Sequence, residues 1–511
     1  MTMVHDLLTE PLLSWRDTGR QRGMTTLPGL LEKLGSGELG DFPKVRTHQF
    51  HPWVMFLTQL AAIALHRAGR TEPNTSEAEW REMLLKLTGG AHEPWCLVVE
   101  DLSKPAFFQP PVPEAKREGF SLAEEWKVVE QPDEIDVLVL SKAHDVKASR
   151  LRNILPESWA YALTTLQTMQ GYPGRGYTGV ARMKGGYGSR ARIGLGASHS
   201  VGSRFQRDVA VLLDTWPLLL DRGYRDDGLG LVWVEPWDGK LSLAAGALCP
   251  HFIEICWRTR LVLSGTAMHC AYTTTENRRC MPEIKSGDVG DPWIPIERKD
   301  GGALTLGGRG FHYELLTRLL LTDEYEPAAA QRPREGDGDP VFLLGSALVR
   351  GQGKTEGLHE YALSIPGAVK RRLGNHDGRA ALGRRAELFV QRAKQMRSHV
   401  LFPALNQLAL GENLVDDRFD ARVDEVFFEN LFGTLERDDD AARLSWEQRL
   451  ETHAWDELHQ AIGRCCVPDA RRYRAIAAAE SMFRGCLHKH FPDVYKAESA
   501  AREPSNEGAQ P

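Results

Sequence analysis

From Trp53 the apolar positions Trp53, Phe56, Leu57, Leu60 and Ala64 recur at helical spacing, with Pro52 ahead of them and Gly69 behind. That pattern predicts a helix starting near Pro52. A second helix is predicted from Pro156, burying Trp159, Leu163 and Leu166 and ending at Gly171, where glycine admits a left-handed cap. Short apolar runs at Val137–Leu140, Leu231–Val234, Phe252–Ile255 and Leu261–Leu263, separated by Gly, Pro and Asp, read as strands. From Leu382 the character changes. Leu382, Ala386, Phe389, Ala393, Met396 and Val400 alternate steps of four and three, the seam of a bundle helix. Helical patterns follow over Asp420–Leu435, Ala441–Cys465 and Asp469–His488, with Leu450, Ala454, Leu458, Ala461 and Cys465 forming one stripe. The fold class expected is α+β: an irregular mixed domain over residues 1–375, then a four-helix bundle over residues 376–497. The stretch Thr322–Pro340 loses periodicity and reads as an exposed loop or linker, and the polar tail 498–511 is expected to be disordered.

Bulk properties narrow the function. A net charge of −6 argues against a protein that coats DNA through overall positive charge, so any nucleic-acid contact must be local. The eight cysteines lack the dense even spacing of a disulfide framework and suit a cytoplasmic, reduced setting. His5, Asp6 and Glu10 interrupt the N-terminus where a signal peptide needs an unbroken apolar core. The apolar segments Leu57–Leu65 and Val209–Leu220 are shorter than a bilayer span of about 20 residues, so no membrane partner is expected.

The segment Gly171–Arg192 carries the most specific chemistry. It holds seven glycines, five basic residues (Arg175, Arg182, Lys184, Arg190 and Arg192), three tyrosines and no acid. Glycine permits close backbone approach, Arg and Lys neutralise phosphate, and Tyr stacks on a sugar or base. An ordinary surface loop whose arginines pair with distant acids is the competing reading. A dinucleotide fingerprint fits less well, because the segment follows a helix and Gly174-Arg175-Gly176 with Gly179 lacks the strand-to-helix context.

GRGYTGVARMKGGYGSR at 174–190 resembles the glycine loop of the CasA family, the large subunit of the type I-E CRISPR Cascade complex. In the same order along the chain stand LLTEPLL, HPWVMFLTQLAAIAL, AFFQPP at Ala106–Pro111, SKAHDVKASR at Ser141–Arg150 and RGQGKTEG at Arg350–Gly357. The resemblance implies a non-catalytic protein acting in antiviral defence; no cofactor or metal is expected. It also implies four partners: guide RNA, double-stranded target DNA, the other Cascade subunits and a recruited helicase-nuclease. On it, Gly174, Arg175, Gly176, Tyr177, Gly179, Arg182 and Lys184 form the DNA-binding glycine loop that reads a protospacer-adjacent motif. Gln352 and Lys354 stand for the wedge that opens the duplex and starts the R-loop. Lys142, His144, Asp145 and Lys147 stand for the loop meeting guide RNA and backbone subunits, and a basic finger lies among Arg258, Arg260, Arg278, Arg279 and Lys285.

The remaining motifs weigh little. Gly351–Thr355 ends like a phosphate-binding loop, but Leu348 stands where the first glycine is required. Cys256, His269, Cys270 and Cys280 lack zinc-site spacing and read as buried thiols, and Cys486, His488 and His490 read as surface residues. No hydrolase or nuclease signature is present. A general RNA-binding or scaffold protein outside CRISPR immunity remains the alternative class.

Overall fold

The computed structural model describes residues 3–137, 155–172, 174–185, 189–282, 285–351, 354–408, 418–464 and 469–502. The chain divides into two compact units, one of Met1–Phe311 with Glu324–Gly367 and one of His312–Asp323 with Ala368–Pro511.

The first unit is mixed α/β, built around the helix Thr47–Arg67. This helix carries apolar side chains on every face, and Trp53, Val54, Phe56, Leu57 and Leu60 are all at most 1% exposed. A helix without a polar stripe has to be wrapped on all sides. The helices Pro156–Met169 and Val201–Leu220 and the strand Leu248–Ile253 provide the wrapping. Trp53 meets Tyr161 edge-on at 4.9 Å, and Phe56 meets Phe107 at 5.6 Å. The helix begins at Thr47 rather than near Pro52, which lies inside it. Asp136 accounts for the added turn: it takes His48 Nε2 at 2.9 Å and Gln49 Nε2 at 2.7 Å, offsetting the backbone hydrogen bond that proline removes.

Small antiparallel sheets surround this core. The strands Arg258–Ser264 and Ala267–Thr273 form a hairpin extended by Lys127–Val129. The long hairpin Val341–Gly351 and Lys354–Ile365 is joined on its first strand by Arg192–Gly196. Ser346 therefore lies between Arg192 on one side and Glu360 on the other.

In the second unit the stepped apolar positions behave as the sequence predicts. Leu382, Ala386, Phe389, Ala393, Met396 and Val400 are each no more than 3% exposed, as are Leu450, Ala454, Leu458 and Ala461. The helices are His376–Gln395, Arg418–Gly433, Asp439–Gly463 and Asp469–His490, and Trp446 stacks on Phe389 at 5.2 Å. Arg392 and Arg443 pair with the buried Glu447 at 2.6 and 3.1 Å.

Three boundaries differ from the expectation. The second unit starts at Ala368 rather than 376, and it recruits the helix Tyr313–Leu321, whose Tyr313 ring sits 5.0 Å from Phe427. The stretch Thr322–Pro340 is not a loose linker. Tyr325 and Glu326 pair with Glu297 and Ile296, Ala330 is fully buried, and Arg207 holds Asp337 at 2.6 Å. Long-range pairing of this kind leaves no local periodicity to read. The last helix, Pro492–Arg502, runs into the stretch expected to be disordered.

Candidate nucleic-acid interface

The glycine-and-arginine segment does not lie along the surface as one ribbon. The helix Pro156–Met169 delivers it, and the chain then alternates between solvent and core. Tyr172 is 43% exposed, Gly174 and Tyr177 close a tight turn through a 3.2 Å bond from Tyr177 N to Gly174 O, and Arg175 projects from its tip. Gly174 has open space around it, so this tip presents bare backbone with one guanidinium group.

Beyond the tip the chain turns inward. Tyr177 stacks on Trp257 at 4.4 Å, and Thr275 N donates to Gly176 O at 2.7 Å. Gly179 is buried against Gly171, whose carbonyl carbon lies 2.7 Å from where a Cβ would stand. That glycine serves internal packing rather than approach to a ligand. Ala181 N donates to Glu254 Oε2 at 2.6 Å. Arg182 follows into the interior, pairing with Glu254 at 2.9 Å and Asp291 at 3.1 Å. It also donates to Phe252 O at 2.8 Å and lies over the Phe252 ring. Arg190 shares Asp291 at 3.0 Å, and Arg192 takes Asp208 at 2.8 Å.

The acids missing from the segment are thus supplied from far along the chain, as the competing surface-loop reading anticipated for its arginines. Arg182 cannot reach a phosphate, and its assignment to the DNA-binding loop is corrected. Lys184 is partly exposed but bridges Glu297 at 3.5 Å and also pairs with Asp300. Of the segment's two described tyrosines, Tyr172 is the more exposed. Nothing in the local sequence separates the two except that Tyr172 directly follows the helix end, before the chain turns inward.

Gly351 pairs with Lys354 at the last register position of the long hairpin. Gln352 itself and the side chain of Lys354 lie outside the described residues, as do Lys142, His144, Asp145 and Lys147. The hairpin also removes the nucleotide reading of Gly351–Thr355: a strand follows where a phosphate-binding loop opens a helix, and Leu348 is a core residue at 4% exposure. Among the basic-finger candidates, Arg258 pairs with Glu114 at 2.5 Å, and Arg260 and Arg279 donate to backbone carbonyls from buried positions. Arg278 is partly exposed, and among the described residues it has no carboxylate partner.

Cys256, Cys270 and Cys280 are buried, and desolvation pushes all three thiols up, away from the thiolate that metals bind. His269 neighbours Cys270 along one strand, and so points to its opposite face. His488 meets Tyr495 while His490 stacks on His399, so the terminal histidines diverge. Among the described residues no group of three or more His, Cys, Asp and Glu side chains is placed to hold a metal. Among the same residues no helix is long and apolar enough to cross a membrane.

No family model and no curated protein matches the sequence. Solved structures do. CRISPR-associated protein Cse1 from Acidimicrobium ferrooxidans superposes with a TM-score of 0.64 at 16% identity, over 97% of this chain and 99% of that one. CasA (Cse1) from Thermus thermophilus gives 0.61 at 14% identity, over 94% and 99%. A chain of a CRISPR RNA-guided surveillance complex gives 0.54 at 15% identity, over 94% and 100%. The chain therefore has the Cse1/CasA fold across nearly its whole length.

Proposed function

We propose that this chain is the large, non-catalytic subunit of an RNA-guided CRISPR surveillance complex. In that role it inspects a short protospacer-adjacent motif in double-stranded DNA, begins strand separation and recruits a helicase-nuclease. The observation that carries the reading is fold likeness to Cse1/CasA over 97% of the chain, joined to motifs that follow the family order. A partial likeness would be consistent with a shared domain in an unrelated protein; one spanning both units favours the same assembly role.

Motif reading falls to the exposed turn of Tyr172, Gly174, Arg175 and Gly176. Backbone without side chains enters a minor groove closely, where the hydrogen-bonding pattern is degenerate, so tolerance of several related motifs follows. The long hairpin supplies the wedge, with Gln352 and Lys354 at its end. Opening costs about 1–2 kcal/mol per base-pair step, so a wedge that stabilises one or two separated steps sets where unwinding begins. Lys142, His144, Asp145 and Lys147 meet guide RNA and the neighbouring subunits. Sequence beyond the motif is read by guide pairing, and cleavage belongs to the recruited nuclease.

Co-expression with the neighbouring Cascade genes and a guide tests the reading. The chain should co-purify with the guide-loaded assembly and confer preference among duplexes with a randomised flanking motif. An assembly that excludes the chain, or binds every flank equally with it present, overturns the proposal.

A further inference from the structure

One face of the sheet carries a row of three unlike side chains. Arg192, Ser346 and Glu360 are in register across three strands, and the next row is Gly194, Leu344 and Ala362. The start of the helix Val201–Leu220 lies over this face, with His199 and Val201 at its mouth and Arg204 one turn in. Between them is a cavity of about 410 Å³, with Phe50 also in its lining.

The charge lining it is unbalanced. Of the two buried arginines that line it, Arg192 pairs with Asp208 at 2.8 Å. Arg204 is the surplus cation. It is 9% exposed and, among the described residues, donates to carbonyls, at 3.2 Å to Leu344 O and 3.5 Å to Arg192 O, with no carboxylate in ion-pair range. The Nε atoms of Arg204 and Arg192 are buried without a hydrogen-bond partner. Among the described residues Glu360 is the one acid lining the cavity, and it is exposed rather than paired with Arg204. A buried guanidinium whose nearest carboxylate is already paired with a second arginine is costly, and a helix N-terminus adds partial positive charge beside it.

We propose that this cavity binds a phosphate monoester, its oxyanion between Arg204, Arg192 and the helix start and its ester body against Phe50 and Leu344. Planar guanidinium groups match phosphate oxygens, and a volume above 300 Å³ accommodates more than a bare ion. Burial and the neighbouring Arg192 push the Arg204 pKa down to about 9, the strain an anion relieves. The same positive field, after burial itself, holds His51 neutral with its pKa lowered to about 3. The site is separate from the turn and the hairpin end discussed above, and it stands or falls independently of the surveillance role.

Thermal unfolding of the full chain with inorganic phosphate or AMP, against potassium chloride at matched ionic strength, tests the assignment. Both anions should raise the melting temperature, AMP more than phosphate. Glu360→Gln should tighten AMP binding roughly fivefold by removing a like charge. Arg204→Gln should weaken it about tenfold, and if that variant fails to fold, the exposed Glu360→Gln carries the test. A 5′-phosphorylated oligonucleotide against its 5′-hydroxyl twin distinguishes a nucleic-acid end from a free nucleotide, both being phosphate monoesters. Chloride matching phosphate and AMP, inorganic phosphate binding while AMP does not, or wild-type affinity in Glu360→Gln overturns the proposal.

Discussion

Arg182 and Glu254 form an ion pair inside the first unit, 2.9 Å apart with side chains 2% and 1% exposed. The same Glu254 accepts from the backbone of Ala181, so the pair fixes both the chain path after the glycine turn and the strand it crosses. Removing one partner leaves a charge buried and uncompensated, which costs about 3–5 kcal/mol. Arg182→Met should lower the free energy of urea unfolding by that amount. Stability near that of the wild type would mean the pair contributes little to holding the segment.

Arg175 makes the opposite forecast. It is exposed at the turn tip, so Arg175→Ala should leave urea unfolding within about 0.5 kcal/mol of wild type. In the assembled complex the variant should flatten the salt dependence of duplex binding by about one unit of slope, the signature of one lost phosphate contact. An unchanged slope places Arg175 away from the DNA backbone.

The glycines divide in the same manner. A Cβ on Gly179 would stand 2.7 Å from the Gly171 backbone, so Gly179→Ala should cost about 1–3 kcal/mol of stability through overpacking. Gly174 has open space, and Gly174→Val should weaken binding to motif-bearing duplex while leaving single-strand binding intact. Equal losses on both substrates would show that the tip does not enter a groove.

Much of this division was invisible along the chain. The helices were legible because their apolar spacing is local: Leu382 through Val400 can only be one buried stripe. The fate of the arginines was not, because Arg182 and Arg190 find their carboxylates at Glu254 and Asp291, some seventy to a hundred residues on. A segment free of acid looks like a phosphate ligand until the fold delivers acids to it. The pairing of Tyr325 with Glu297 escaped for the same reason. The cavity beside Arg204 depends on the register of three strands, and no motif records a register.

The wedge assignment rests on a hairpin whose strands pair from Val341↔Ile365 out to Gly351↔Lys354. Replacing Gln352 and Lys354 together by alanine should slow strand opening, read by a fluorescent base beside the motif, without weakening initial duplex capture. Normal opening kinetics in this double variant would remove the wedge role from these two residues.

Two buried histidines lower the acid stability of the first unit. Burial, reinforced for His51 by Arg192, lowers the His51 pKa from 6.5 to about 3. Burial likewise lowers that of His251 to about 4, against a hydrogen bond to Leu212 O. Both are neutral in the folded chain at pH 5, whereas in the unfolded chain they titrate near 6.5 and take up protons first. The unfolded state therefore binds more protons below pH 6.5, and stability falls as the pH drops from there towards the folded values. At pH 5 each histidine costs about 2 kcal/mol relative to neutral pH. His251→Gln, which replaces the ring by a group that does not titrate, should reduce the loss between pH 7 and pH 5 by about half. A chain equally stable at both pH values would mean that neither ring is held neutral by its surroundings.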